Sequence, residues 1–324
     1  MGVHRFDGVS GHGSTFDQRG SAPLWVPLVG AALIALGALV LGVPPKGGVP
    51  GPDSRAPVEV VSWEYDQVDP AVAFSAASDQ HLVVWEDHHW GWGDDWDIYG
   101  RRMTGGGAGV GGIFGISWDG SKKRSAPDVA CDPATGECMV VWEYAYSSTD
   151  HDVKMIRVAS DGTLLGSEVS LAAASNWEGA PAIAFSSAAN QYLVAWERRE
   201  GVDEFLQGDV YVQRVHPAGP TIGSPVVVAS TSVDEGSPDV ACGPADGSCL
   251  VVWEERRGVA TLDDIVGRRL TSQGVMLSEI ALSSAAGDQQ APRVAHSLLN
   301  EHYLVVWEDR GVSPWAIRAG RVRD

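Results

Sequence analysis

One stretch of the sequence, residues 86–97, gathers side chains that could bind a ligand: three Trp and four Asp occur within its twelve positions. Indole faces stack on sugar rings and on cations. Trp90 and Trp92, with the carboxylates of Asp94 and Asp95, are therefore the predicted ligand-binding residues. Asp94, Asp95 and Asp97 also offer the oxygen ligands that Ca²⁺ prefers, and no other cofactor is predicted.

Two other interpretations of this stretch stay open. The adjacent His88 and His89 could favour zinc over calcium. Alternatively the stretch is a solvated loop in which Trp96 packs at the edge of a sheet. Trp315 occupies the equivalent place near the end of the chain and supports that packing role.

Catalytic signatures with a fixed spacing are absent from the sequence. It contains no Ser-x-Asp-x-Gly-x-Thr-Trp box, no G-x-S-x-G elbow, no H-E-x-x-H and no phosphate-binding loop. Glycosidases with five-bladed propellers instead hold single carboxylates on different blades around the axis. Because 39 acidic residues follow residue 56, the sequence leaves that arrangement open.

The elements that position these residues form a unit repeated five times. Each repeat carries a Pro fifteen residues before a Trp-Glu pair, and the spacings between repeats are 57, 54, 57 and 54 residues. A fixed period of this length is typical of propellers and solenoids. The repeated residues are Pro70, Pro127, Pro181, Pro238 and Pro292, with Trp85, Trp142, Trp196, Trp253 and Trp307.

Each unit contains four short β-branched runs separated by turn residues, which predicts four antiparallel strands. The predicted fold class is all-β: a five-bladed β-propeller of four-stranded blades, with units starting near residues 70, 127, 181, 238 and 292. The last unit stops after its third strand, and an apolar run at residues 58–63 precedes the first unit. We expect that run to complete the last blade and close the ring. A larger ring that lacks a sixth unit stays open if the chain is a piece of a longer protein.

The four cysteines lie at matched positions of two units. Cys131 and Cys138 follow their Pro by 4 and 11 residues, and Cys242 and Cys249 have the same offsets. The other units place aromatic or His residues at both positions, which indicates that the two positions face each other across a hairpin. The spacing lacks the usual zinc pattern, so disulfides Cys131–Cys138 and Cys242–Cys249 are predicted, outside the reducing cytoplasm.

A Glu follows every repeated Trp, and an Arg occupies the sixth position of every third strand. A residue present in each blade serves packing that every blade shares, whereas a catalytic group is needed once. We expect these Arg side chains to reach backbone carbonyls or a neighbouring blade. The two sets are Glu86, Glu143, Glu197, Glu254 and Glu308, and Arg102, Arg157, Arg214, Arg269 and Arg321.

The N-terminal region has a separate organisation. Residues 1–23 form a polar tail, and residues 24–43 are twenty uncharged positions, long enough for a hydrophobic helix that crosses a bilayer. Residues 44–57 are a Pro/Gly linker, which leaves residues 58–324 for the propeller. We expect an uncleaved signal anchor that attaches the protein to the membrane, with a cleaved signal peptide as the alternative.

The chain has 324 residues, with 42 acidic against 23 basic side chains and a formal charge of -19, which argues against a nucleic-acid partner. The repeat resembles one found in bacterial secreted and cell-surface proteins, approximately Y-L-V-V-W-E-D, W-D-I-Y-G-x-R-V and D-G-x-x-L-G. The matching stretches are residues 303–309, 96–103 and 161–166, with Met103 and Ala316 departing from the pattern. The resemblance covers residues 58–324 and implies a propeller and an extracytoplasmic location, with no assigned activity.

Together these features predict a non-catalytic extracytoplasmic propeller, membrane-anchored or secreted, that binds a glycan or a protein through variable loops. The alternative is a carbohydrate-active enzyme that uses carboxylates near the axis. A cluster of close carboxylates at the axial pocket would favour the enzyme. Repeat-related residues lining the axis in quasi-symmetry, with no isolated acid pair, would favour the binding protein.

Overall fold

The computed structural model describes residues 57–88, 96–118, 122–200, 207–256, 262–297 and 301–324, which belong to the unit Ala56–Asp324. The predicted tail, hydrophobic segment and most of the linker lie outside these residues. Among the described residues, no helix is long and apolar enough to cross a membrane.

Every regular element in the described part of the chain is a β-strand, as the repeat predicts. The strands are β1 Gln67–Ser75, β2 Gln80–Asp87, β3 Asp97–Thr104, β4 Gly109–Ser117, β5 Arg124–Cys131, β6 Cys138–Ala145, β7 His151–Val158, β8 Leu164–Ala172, β9 Trp177–Ser186, β10 Gln191–Arg199, β11 Gly208–Val215, β12 Thr221–Ala229, β13 Glu235–Cys242, β14 Cys249–Arg256, β15 Asp263–Leu270, β16 Met276–Ser283, β17 Gln289–Ser297, β18 His302–Asp309 and β19 Ala316–Arg323.

The strands pair antiparallel in chain order within each unit. Strands β1–β4, β5–β8, β9–β12 and β13–β16 form four blades, and β17–β19 form a fifth sheet of three strands. One parallel pair, His151 with Trp177, links the second and third blades into one sheet. The first strands of consecutive blades contact one another, so β1, β5, β9, β13 and β17 are the innermost strands.

The core lies between the blades. Trp142, Trp196 and Trp253 are fully buried, and each packs in an apolar cluster between its own blade and the preceding one. The run on either side of each Trp is apolar on both faces because both faces of the strand are covered. This packing explains why the Trp recurs in every unit.

Both predicted disulfides are present. Cys131 pairs with Cys138 and Cys242 with Cys249, directly opposite each other in their hairpins. In the other blades the same positions hold ring pairs: Phe74–His81, Phe185–Tyr192 and His296–Tyr303, with centroids 4.8–4.9 Å apart. A disulfide and a ring pair thus alternate between successive blades at this position of the inner hairpin, and disulfides are typical of extracellular proteins.

The repeated Glu residues join each blade to the next. Glu86, Glu143, Glu197 and Glu254 each accept a hydrogen bond from the backbone N–H of the residue before the next repeated Pro, at 2.6–3.3 Å. That residue has a positive φ of 47–52° in each case, which turns its N–H out of the strand ladder and toward the carboxylate. The four donors are Ala126, Ala180, Ser237 and Ala291.

Three of the repeated Arg side chains, those of Arg102, Arg157 and Arg214, reach a carbonyl of the next blade as predicted, whereas Arg269 contacts Ser248 of its own blade. Arg102 donates to the carbonyl of Ser160 at 3.1 Å, and Arg157 donates to the carbonyl of Ala218 at 3.2 Å. Both carbonyls lie in the turn between the third and fourth strands of the next blade. Glu308 pairs with Arg310, two residues along the chain, at 2.7 Å.

Residues 58–63 differ from the prediction, because they form no strand and contact the first blade. The guanidinium of Arg101 donates to the carbonyl of Val60, and Trp63 packs edge-on against Tyr99 with centroids 4.9 Å apart. Side chains alternate between the two faces of a strand, so Tyr99 and Arg101 lie on the face opposite to that of Arg102. Because Arg102 points toward the second blade, residues 58–63 cover the other face of the first blade. The described sheets therefore do not form a closed ring.

Candidate functional site

The first loop falls largely outside the described residues. This applies to Trp90, Trp92, Asp94 and Asp95. Of the predicted calcium ligands, Asp97 is described: it is 5% exposed and its carboxylate lies 3.3 Å from the guanidinium of Arg124. That ion pair makes Asp97 part of the junction between the first two blades. In the described part of the chain, no group of three His, Cys, Asp or Glu could hold a metal ion.

Trp96 packs as its alternative interpretation predicts. Its ring stacks on His88 with centroids 3.9 Å apart, and the ammonium of Lys123 lies 3.6 Å from its centroid. Its equivalent Trp315 is 66% exposed, although the guanidinium of Arg310 lies 4.7 Å from the Trp315 centroid. Each of the two tryptophans therefore has a cationic side chain beside its ring, but the two differ in burial.

Two aspartates on innermost strands form the strongest candidate for chemistry. Asp128 on β5 and Asp239 on β13 each follow the repeated Pro directly. Asp128 accepts hydrogen bonds from the N–H of Val129 and of Ile183 on the next innermost strand, both at 2.8 Å. Asp239 accepts one from the N–H of Val294 on β17 at 2.7 Å.

This position is unrepeated, unlike the Glu and Arg sets. The residues after the five Pro are Ala71, Asp128, Ala182, Asp239 and Arg293. Two small residues, two acids and one base thus occupy equivalent places on the innermost strands. A set that alternates in charge and size cannot serve a role that all blades share, so these side chains carry a local role.

Burial shapes the ionisation of both acids. It raises the pKa of Asp128 to about 7, against the lowering effect of the N–H groups of Ile183 and Val129. The charge of Asp239 raises the Asp128 pKa further, and Arg293 lowers it. Burial also raises the pKa of Asp239, while the N–H of Val294 and the guanidinium of Arg293 lower it. The two acids and the base therefore interact electrostatically.

A second group of polar side chains lies at the end of β6, the second strand of its blade, near the innermost strands. The ring of His151 lies 2.6 Å from the carboxylate of Glu143, which also accepts from the N–H of Ala180. Half-buried Trp177 lies 5.9 Å from His151 and 4.7 Å under the guanidinium of Arg199. An indole face beside fixed carboxylates is a surface on which a sugar ring can stack.

The acid pair was missed from the sequence because Pro-Asp-Val-Ala occurs in two units and reads as part of the repeat. The signal that could have found it is the contrast at one position, Asp in two units against Ala, Ala and Arg in the others. The variable loop drew attention instead because its composition is unusual. An innermost strand offers few positions whose side chain is not required for packing. A residue that differs between units at such a position is therefore a stronger indication of function.

The fold is similar to solved structures at low sequence identity. A protein of unknown function from Dyadobacter fermentans is 9% identical with a TM-score of 0.55, over 80% of this chain and 79% of that chain. A Hadza microbial sialidase is 11% identical with a TM-score of 0.54, over 78% of this chain and 56% of that chain. This chain therefore spans about half the length of the sialidase.

A third similar structure is an N-acetylgalactosamine deacetylase from F. plautii, in complex with blood group B trisaccharide. It is 9% identical with a TM-score of 0.51, over 82% of this chain and 92% of that chain. No protein-family model matches the chain, and a search of curated protein sequences finds no match. These likenesses show a β-propeller-like, all-β fold.

The prediction of a non-catalytic binding propeller is wrong in the light of this comparison. The sialidase and the deacetylase with this fold are carbohydrate-active enzymes, which favours the alternative interpretation. On the innermost strands, the position after the repeated Pro is acidic in the second and fourth blades only, at Asp128 and Asp239.

Proposed function

We propose that this protein is a carbohydrate-active enzyme that cleaves glycosidic bonds with Asp128 and Asp239. The observation that carries the proposal is the presence of two buried, electrostatically coupled acids at a position of the innermost strands that varies between units, with Arg293 as the one basic equivalent. Pairs of carboxylates with different ionisation are the working groups of glycoside hydrolysis. The similar folds of a sialidase and a deacetylase support a sugar as substrate.

The two acids take different roles. With a pKa of about 7, Asp128 is largely protonated at mildly acidic pH and can donate its proton to the leaving oxygen of the glycosidic bond. Asp239 takes the second role, because the N–H of Val294 and the guanidinium of Arg293 favour its charged form against the raising effect of burial on its pKa. As a carboxylate it activates water or attacks the anomeric carbon, and the separation of the two groups with substrate bound decides between these routes.

The test is hydrolysis of a panel of oligosaccharides and aryl glycosides by the full chain and its variants. Asp128→Asn should lower the rate on unactivated glycosides by about 10²–10⁴-fold, the usual contribution of a general acid. Activity on dinitrophenyl glycosides should largely survive, because that leaving group needs no proton. Asp239→Asn should lose activity on both substrate types, and Glu301→Gln, on an exposed turn, should lose none.

Two results would count against the proposal. One is a wild-type protein that releases no sugar from any member of the panel. The other is an Asp128→Asn variant that keeps full activity on unactivated glycosides with an unchanged melting temperature.

We also propose that the first and fifth blades meet to close a five-bladed ring. Leu304 and Ile317 are 51% and 73% exposed, whereas their equivalents in the fourth blade, Leu250 and Ile265, are fully buried against the fifth. Val72 is likewise 61% exposed on the first blade. Closure would bury these facing apolar surfaces, which soluble proteins rarely leave exposed together.

The proposed location is extracytoplasmic. The two disulfides support it, since such bonds persist in oxidising compartments. We extend the proposal to a membrane attachment through residues 24–43 and to membership of the bacterial secreted and cell-surface repeat proteins that the sequence resembles. A fractionation of the source cells, with and without protease treatment of intact cells, tests the location and the membrane attachment.

A further inference from the structure

A cleft on the second blade stands out because of its charge. It has a volume of about 380 Å³ and lies between the connection from β4 to β5 and the loop from β6 to β7. None of its described lining residues is Asp or Glu. The lining consists of Lys122, Lys123, Ala145, Tyr146, Ser147, Ser148 and His151.

The lysines of this protein are concentrated here. The sequence contains only four, at positions 46, 122, 123 and 154, against 42 acidic residues. Lys122 and Lys123 line the cleft, and Lys154 lies behind it with its ammonium 3.5 Å from the ring centroid of Tyr144 and 5.4 Å from that of Tyr146. Lys154 pairs with Glu168 at 3.7 Å, so Lys122 and Lys123 are the cations of this cleft that could attract an anion.

Carboxylates of the described chain do not neutralise the two lining ammonium groups. Lys122 donates to the backbone carbonyl of Tyr146 at 2.9 Å, and Lys123 lies over the ring of Trp96. Among the described residues, no carboxylate lies within ion-pair distance of either. Three acids of the second blade lie nearby: Glu143 is taken up by His151 and by the N–H of Ala180, Asp152 accepts from the hydroxyl of Ser170, and Asp150 belongs to the loop after β6.

The cleft is connected to the acid pair through β9. Glu143, which holds His151 at the cleft wall, accepts from the N–H of Ala180, and Asp128 accepts from the N–H of Ile183. Those two N–H groups are three residues apart on one strand, which spans roughly 10 Å. A short oligosaccharide can reach across that span, with Trp177 at the start of β9 as a stacking surface.

We infer that this cleft binds the anionic group of a charged sugar, a carboxylate or a sulfate ester, so that the substrate is an acidic glycan. The inference rests on the proposed function for the cleavage step but not for the binding step. Lys122 and Lys123 supply the charge, and the serine hydroxyls and His151 supply hydrogen bonds. Neutral glycans lack the group that this lining recognises.

The experiment measures binding by calorimetry to the full-length Asp128→Asn protein, which keeps the cleft and removes the proposed acid. The probes are a trigalacturonide, the same trisaccharide with its carboxyl groups reduced to alcohols, a sulfated galactan oligosaccharide and inorganic sulfate. We expect the charged sugars to bind and the reduced trisaccharide to bind at least tenfold more weakly. Whichever of the uronide and the sulfated sugar binds more tightly identifies the anionic group.

Lysine variants then locate the binding. Adding Lys122→Gln and Lys123→Gln should weaken the charged sugars by about 10–100-fold, as expected for lost charge-assisted hydrogen bonds, and leave the reduced trisaccharide unchanged. Lys122→Arg with Lys123→Arg should retain binding. A pair that removes two charges elsewhere, Lys46→Gln with Arg323→Gln, should have no effect, and melting temperatures confirm that each variant is folded.

Equal binding of the trigalacturonide and its reduced form would overturn the inference, as would full binding by the double Gln variant. Binding of inorganic sulfate alone would also overturn it, since it would show an anion site with no sugar recognition. Charged-sugar binding without hydrolysis by the wild type would contradict the proposed function and leave this inference standing. Hydrolysis confined to neutral glycans would contradict this inference and leave the proposed function standing.

Discussion

Asp128 accepts two backbone hydrogen bonds and is still hard to ionise, because burial outweighs them. The same two bonds fix its carboxyl group between β5 and β9, on two innermost strands. A carboxyl group that is held in place and keeps its proton near neutral pH is suited to proton donation.

At the residue scale this ionisation predicts a pH dependence. The rate of glycoside hydrolysis should fall as the pH rises through about 7, because Asp128 loses the proton that it must donate. The measurement is kcat/KM from pH 4 to pH 9 on an unactivated substrate. Dinitrophenyl glycosides should not show this alkaline limb, and an alkaline limb that is missing for both substrate types would contradict the assignment.

At the element scale each blade depends on its neighbour through one glutamate. The carboxylate of Glu254 accepts from the N–H of Ala291 at 2.7 Å, at a residue whose φ of 52° directs that N–H toward the fourth blade. Glu308 is the equivalent residue of the fifth blade, and Asp69, with a φ of 49°, is the equivalent donor of the first. In the structure Glu308 pairs with Arg310.

Alanine at these two positions tests ring closure. Glu254→Ala should destabilise the protein by about 1–3 kcal/mol, because it leaves a partly buried N–H without an acceptor. If the first and fifth blades meet in solution, Glu308→Ala should cost a similar amount, measured by denaturant unfolding of both variants. A Glu308→Ala variant as stable as the wild type would show that the ring stays open.

At the scale of the whole molecule, several buried acids make the fold sensitive to pH. Burial raises the pKa values of Glu86, Asp128 and Glu235 to about 7, from ordinary values near 4. Between about pH 4 and pH 7 the folded chain binds more protons than the unfolded chain, so the free energy of unfolding falls as the pH rises. The net charge of -19 adds self-repulsion in the same direction.

The melting temperature should therefore be higher at pH 5.5 than at pH 8.5. Asp128→Asn should reduce the difference, because the variant lacks one of the three groups that take up protons on folding. Calorimetric scans of both proteins at the two pH values make the comparison, with Glu301→Gln as the exposed control. A wild-type melting temperature that rises between pH 5.5 and pH 8.5 would contradict the shifts of all three acids.

Local features of this protein follow from the chain itself. The strands, the hairpins and both disulfides could be predicted, because the other units replace Cys131 and Cys138 together by aromatic or His residues, which indicates positions that face each other. The burial of the repeated Trp also follows from the apolar run around it. These features are interactions within one blade or roles that every blade repeats, so all five units of the sequence indicate the same structure.

Contacts between blades required the assembled fold. Asp128 and Asp239 are on blades two and four, and the charge of Asp239 acts on Asp128 only because β9 packs between their two strands in the assembled fold. The cationic cleft likewise joins a connection after β4 to a loop after β6. Residues 58–63 carry an apolar pattern that suits the last blade and the first equally well, and packing against Tyr99 selects the first. Hydrophobic pattern specifies that a face will be covered, whereas geometry specifies what covers it.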